Sequence, residues 1–196
     1  GPMRIFKVTP DGKTSVFLEG PVLKSPNGVG IDNDGNGYVD DVVGWDFAAN
    51  DNKPYDLTVD LFTLLFGGGN PGHGTHVAGI IGAKRDNGVG IDGIADNVRI
   101  MMIRAVPDGD EHDKDVALAI RYAVDNGAKV INMSFGKDFS PQKHWVDEAV
   151  KYAEEKGVLL VHAAGNDARN IDTTDNFPNA VLKSTGQKAS NWITVG

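Results

Sequence analysis

The chain has 196 residues, a net charge of −8, 40% hydrophobic residues and no cysteine. Its length suits one domain, and its composition is that of a soluble globular protein, with no apolar window long enough to span a bilayer. The acidic balance and the lack of a basic stretch argue against nucleic acid as a partner, while a chain without cysteine has neither disulfides nor thiolate metal sites.

In chain order, Gly1-Pro2 ahead of Met3 reads as an expression-tag scar, and no signal peptide is present. Residues 3–20 predict a β-hairpin, with "RIFKV" and "TSVFLEG" flanking the Pro-Asp-Gly turn of "TPDGK". A Gly- and Asp-rich stretch, "SPNGVGIDNDGNGYVDD", leads to a short apolar strand, "VVGWDF". "YDLTVDLFTLLFGGGN" reads as a short helix or turn ended by its glycines; packing against the core is the simpler reading, a substrate subsite the alternative. "HGTHVAGIIGAK" is helical, with small residues that permit close packing, and residues 98–106 form a nearly all-apolar run that predicts a buried parallel strand. "DKDVALAIRYAVDNG" is an amphipathic helix ending at Gly127, "AKVINMSFG" a strand, and "PQKHWVDEAVKYAEEKG" a helix with proline near its start and glycine at its end. "VLLVHAAG" and the terminal "WITVG" are further strands. Strand–helix alternation predicts a parallel sheet with helices on both faces. In such sheets the chemistry sits at the carboxyl ends of the strands, where Ser134 and Asn166 fall.

Two stretches carry candidate chemistry. His73 lies in "NPGHGTHVAG", at a loop-to-helix junction where flanking glycines let a substrate backbone approach. His73 and His76 are three apart, but no H-E-x-x-H pattern and no third ligand accompany them, so zinc is not expected. The second stretch is "DNDGNGYVDD". It places Asp32, Asp34, Asn36 and Asp40 at positions 1, 3, 5 and 9 of an EF-hand-like loop, with the Tyr38 carbonyl at 7. Val43 stands where the bidentate glutamate belongs, and Asp41 at position 10 is the candidate substitute. A structural calcium ion and a solvated acidic turn both fit this spacing.

"GHGTHVAGIIGA" resembles the histidine motif of the subtilisin-like serine proteases (subtilases, peptidase family S8), and "VINMSFG" and "VHAAGND" resemble that family's substrate-binding strand and oxyanion segment. The three occur in family order, and the resemblance covers roughly residues 30–196. It implies a three-layer α/β/α domain with a mostly parallel sheet over 30–196, incomplete at both ends, preceded by a hairpin and linker over 1–29. It implies His73 as general base, Asn166 as oxyanion donor, Ser134, Phe135 and Gly136 as the strand that pairs with a peptide substrate, and Gly165 lining the primary pocket. It raises the expectation of structural calcium and makes a secreted or cell-envelope location the family's implication.

The family orders its triad Asp, His, Ser. No D-[ST]-G stretch precedes His73: Asp11-Gly12 lies in the hairpin turn, and Asp46 leads into "FAAN", which resembles the link between the family's aspartate and histidine motifs. No G-T-S-[MA]-A stretch follows Asn166. The expectation is therefore part of a serine endopeptidase, inactive as this chain alone, with self-association through an incomplete core. The alternatives are a pseudoprotease serving as a calcium-stabilised binding module and one chain of a split protease.

Overall fold

The computed structural model describes residues 4–8, 14–19, 38, 44–54, 72–95, 97–107 and 109–196. The chain divides into two compact units, Gly1–Asp40 and Asp41–Gly196. In the first, β1 (Arg4–Val8) and β2 (Thr14–Glu19) form the expected antiparallel hairpin, with a register shift between Ile5 and Phe6.

The second unit is parallel α/β. A short pair, β3 (Gly44–Asp46) and β4 (Met102–Arg104), is separate from a three-stranded parallel sheet of order β5 (Val130–Met133), β6 (Leu159–Ala163), β7 (Trp192–Val195). Helix α1 (His73–Gly82) precedes β4, α2 (Asp113–Asp125) connects β4 to β5, and α3 (Lys143–Glu155) connects β5 to β6.

Helix α2 forms because Val116, Ile120, Ala123 and Val124 recur on one buried face, and Asp113 and Asp115 put negative charge in its first turn, where the helix dipole favours it. Gly127, at φ +84°, carries the chain out of the helix in the left-handed conformation that glycine adopts without strain. Helix α3 buries Val146, Ala149, Val150 and Ala153 in the same way. The two faces meet over the centre strand, where Leu160 is fully buried, and Met133, Val158, Leu182 and Ala189 complete the core.

The opposite face of that sheet is open among the described residues: Val130, Ile193 and Val195 are exposed. Helix α1 contains no buried residue. It packs on the segment that follows it, with Ile94 N–H donating to the Ile80 carbonyl and Ala95 N–H to that of Ile81. The buried strand expected over 98–106 is a correction. Only 102–104 is strand, none of it fully buried, and Val98 and Ile100 are exposed although they approach α1, where a Cβ on Gly82 would meet Val98 Cγ2 at 2.6 Å. An apolar run supplies the side chains for a buried strand, but neighbours on both sides must make it one.

Candidate active site

The carboxyl ends of β5 and β6 lie side by side, in register from Val130↔Leu159 to Met133↔His162. Ser134, Phe135 and Gly136 leave the first strand; Ala164, Gly165 and Asn166 leave the second. One residue that sequence reasoning missed ties them together. Asn176 donates from Nδ2 to the Ala163 carbonyl at 3.0 Å, and its carboxamide fills the space beside Gly136. A Cβ on Gly136 would stand 2.4 Å from Asn176 Oδ1, so only glycine admits this approach. Gly165 is at φ +101° and would bring its Cβ to 3.5 Å from the same carboxamide. The candidate strand and the candidate turn are thus spaced by a single side chain reaching from residue 176. The neighbouring Phe177 exchanges two backbone hydrogen bonds with Lys137, of 3.0 and 2.8 Å, which extends the fixed edge past Gly136.

Beneath this edge lies a charged network. Lys137 Nζ donates to Asp113 Oδ1 at 2.8 Å and to the Glu111 carbonyl at 2.6 Å. Ser140 Oγ and Gln142 N–H also donate to the Asp113 carboxylate, at 2.8 and 2.7 Å. Burial opposes ionisation of Asp113, but these donors outweigh it and hold its pKa below the ordinary value. Glu111 has no such set: its Oε1 is buried without a partner, and burial pushes its pKa up. Asp147 accepts from Lys143 and, at 2.8 Å, from Lys183 N–H. Glu111, Asp113, Lys137, Ser140, Lys143 and Asp147 line a cavity of about 10 Å³, the volume that one water needs.

His162, on β6, packs between the rings of Phe135 and Trp192, with centroids at 6.3 and 5.5 Å. It is buried with Nε2 unpartnered, and burial lowers its pKa, against a hydrogen bond to the Phe135 backbone that pulls the other way. No charged group enters that balance.

The other candidates stand elsewhere. His73 is exposed in the first turn of α1, which makes no extensive packing with β5, β6 or β7 among the described residues. Asp46 is buried, accepts from Arg104 at 2.7 Å through Oδ2 and from Ala49 N–H at 2.8 Å through Oδ1, and so is fully engaged in joining β3 to β4. Ser134, Ser140, Ser184 and Ser190 bond to Asn132, Asp113, Lys151 and Glu154, so none of these hydroxyls is paired with a histidine. Of the acidic loop only Tyr38 is described; Asp32, Asp34, Asn36, Asp40 and Asp41 lie outside the described residues, as do residues 55–71. Among the described residues no group of three or more His, Asp or Glu side chains could hold a metal ion.

The fold and the paired strand ends define an α/β protein whose candidate site lies at the carboxyl edge of a parallel sheet. Residues 66–196 match the subtilase family, Peptidase_S8, and the chain belongs to that family. It is 43% identical over 126 residues to the thermophilic serine proteinase of Bacillus sp. (strain AK1), covering 64% of this chain and 28% of that protein. It is 39% identical over 163 residues to thermitase of Thermoactinomyces vulgaris, covering 79% of this chain and 52% of that one. The minor extracellular protease Epr of Bacillus subtilis (strain 168) is 40% identical over 121 residues, 61% of this chain and 18% of its own. Among solved structures, the S41 psychrophilic protease matches with a TM-score of 0.48 and 31% identity, over 60% of this chain and 37% of that chain. The chain therefore spans about half of thermitase and less of the other relatives.

Proposed function

We propose that this chain is the part of a subtilase serine endopeptidase that supplies the general base, the substrate-pairing strand and the oxyanion donor. Family membership supports the reaction class, and the Asn176 tie between Gly136 and Ala163–Gly165 supports the assignment of the two strand ends to one peptide cleft. In that reading a peptide pairs with Ser134–Phe135–Gly136 by strand addition. His73 takes the proton from a serine hydroxyl that attacks the scissile carbonyl, and later returns it to the leaving amine. The Asn166 amide donates to the oxygen that becomes negative as the carbonyl turns tetrahedral; losing the corresponding donor in a subtilisin costs about 10²–10³-fold in kcat. The serine and the aspartate come from sequence outside the motifs present here, so the chain by itself is inactive.

The test compares this chain with the complete product of its gene, using a fluorophosphonate probe and a chromogenic tetrapeptide. Labelling and turnover by the complete product, silent in the isolated chain, are expected. Absence of both from the complete product overturns the reading. Within it, Asn166→Ala lowers kcat by about 10²–10³-fold with little change in KM. A structural calcium ion on Asp32, Asp34, Asn36, the Tyr38 carbonyl, Asp40 and Asp41 belongs to the same proposal. Millimolar calcium then raises the melting temperature, and a melt unmoved by calcium or EDTA removes it. The open sheet face around Val130, Ile193 and Val195 supports self-association of the isolated chain, which light scattering reads directly. Export from the cell, as the name of the Bacillus subtilis relative states for that protein, is the location proposed.

A further inference from the structure

Three residues past Asn166 the structure holds a two-pronged ion-pair contact. Arg169 sends one guanidinium nitrogen to Asp138 Oδ1 at 2.6 Å and the other to Asp167 Oδ2 at 3.3 Å. Asp138 lies two residues beyond Gly136, on the loop that leaves β5; Asp167 is next to Asn166, on the loop that leaves β6. The arginine therefore joins the rims of the two walls that Asn176 spaces underneath. All three side chains are largely exposed, at 42%, 67% and 65%, so burial is not what keeps them together. Between Asp167 and Arg169 the backbone pays a local cost. Ala168 is at φ +54°, a conformation disfavoured for a residue with a Cβ.

We propose that Arg169 is a specificity-determining residue: it offsets the carboxylates of Asp138 and Asp167 on the rim of the peptide cleft, and so withholds from basic substrate side chains the negative field these would otherwise present. The proposal rests on the reading of the two strand ends as a peptide cleft. With Arg169 in place the three rim groups sum to one negative charge; without it they sum to two. A further unit charge on an exposed rim, in the high effective dielectric of a surface, changes the affinity for a charged side chain by about three- to fivefold at low salt. Screening reduces this to less than twofold at 0.5 M salt.

The experiment uses the 196-residue chain and needs no turnover. Fluorescein-labelled Ala-Ala-Pro-X-Ala-Gly peptides, with X as Lys, Gln or Glu, are titrated against wild type, Arg169→Gln, Arg169→Lys and the double variant Asp138→Asn/Asp167→Asn, read by anisotropy at 20 mM and 0.5 M salt. Expected is a rise of about three- to fivefold in the Lys-over-Gln affinity ratio for Arg169→Gln, lost at high salt, a wild-type ratio for Arg169→Lys, and a fall in the ratio for the double variant. A Lys variant that shifts the ratio as far as the Gln variant overturns the charge assignment, since it keeps the charge and loses only the fork. Binding with a ratio that no variant moves overturns it as well and leaves the cleft standing. If wild type binds none of the peptides, the cleft reading fails and the role of Arg169 falls with it.

Discussion

Asp113 is the residue on which the edge past Gly136 depends. It is 4% exposed and accepts three hydrogen bonds, from Lys137, Ser140 and the Gln142 backbone, while Lys137 is itself only 8% exposed. Asp113→Asn keeps the shape but removes the charge and turns one acceptor into a donor. Lys137 then keeps the Glu111 carbonyl but loses its counter-ion, and either Ser140 or Gln142 loses its acceptor. Breaking a buried pair by removing one partner costs about 3–5 kcal/mol; the retained amide oxygen and the Glu111 carbonyl put the expected loss at the lower end, about 3 kcal/mol. For a chain of this size that is a fall in Tm of about 6–12 °C. The pH dependence gives a second check. Because the folded-state pKa of Asp113 is lowered, its contribution is fully present above the ordinary carboxylate pKa and is lost as pH falls through the lowered value. The wild-type stability, followed by urea unfolding between pH 2.5 and 6, should therefore drop more steeply than that of Asp113→Asn. An Asn variant that melts within 2 °C of wild type, with the same acid limb, would refute the claim that this pair anchors the edge.

Three further outcomes follow from the same geometry. Glu111→Gln raises stability by on the order of 1 kcal/mol at pH 8 and little at pH 4. A group whose folded pKa is raised favours the fold below its ordinary pKa and loses that contribution as pH rises through the raised value, so urea midpoints at the two pH values decide it. His162→Leu flattens the stability profile below pH 6.5: the buried imidazole has a lowered pKa, so wild type loses stability from the ordinary histidine value down to the folded one, while leucine has nothing to protonate. Gly136→Ala costs about 1–3 kcal/mol by forcing the Asn176 carboxamide away from the Ala163 carbonyl. Gly136→Ala/Asn176→Ala recovers part of that loss in a double-mutant cycle, and a fully additive cycle would show that the two do not touch.

Much of the framework was legible in the sequence because it is local. The helices at 113–125 and 143–155 announce themselves through 3.6-residue periodicity and glycine stops, and the strands at 130–133, 159–163 and 192–195 through short apolar runs. The positions of Ser134 and Asn166 follow from strand ends alone, whereas Gly165 comes only from the family resemblance. Asn176 was not legible, because its role is set by two contacts made across long stretches of sequence and "DNFP" looks like any polar turn. Lys137 and Asp113 carry no local signal that each is buried against the other. Residues 98–106 failed in the opposite sense, since hydrophobicity records what a segment could bury and not whether neighbours arrive to cover it. His73 was recognisable by its glycines, yet the groups that would orient it are set by parts of the chain beyond these elements.

The core cluster draws its residues from Val116 onward, and none from α1 or from β3 and β4. Its members come from α2, α3 and the strands and loops that follow them, and the parallel pairing of β5 with β6 and of β6 with β7 joins segments well separated in sequence, contacts that carry a loop-closure cost. His73 and Asn166 are carried by elements that pack unequally among the described residues: α1 has no buried residue, whereas Asn166 follows β6, whose Leu160 is fully buried. Amides of β6 should exchange with solvent only on global opening, while those of α1 exchange through local fluctuations. In the proposed reading, aligning His73 with Asn166 means holding the loosely packed α1 against the firmly packed sheet, a step separate from the folding of the sheet.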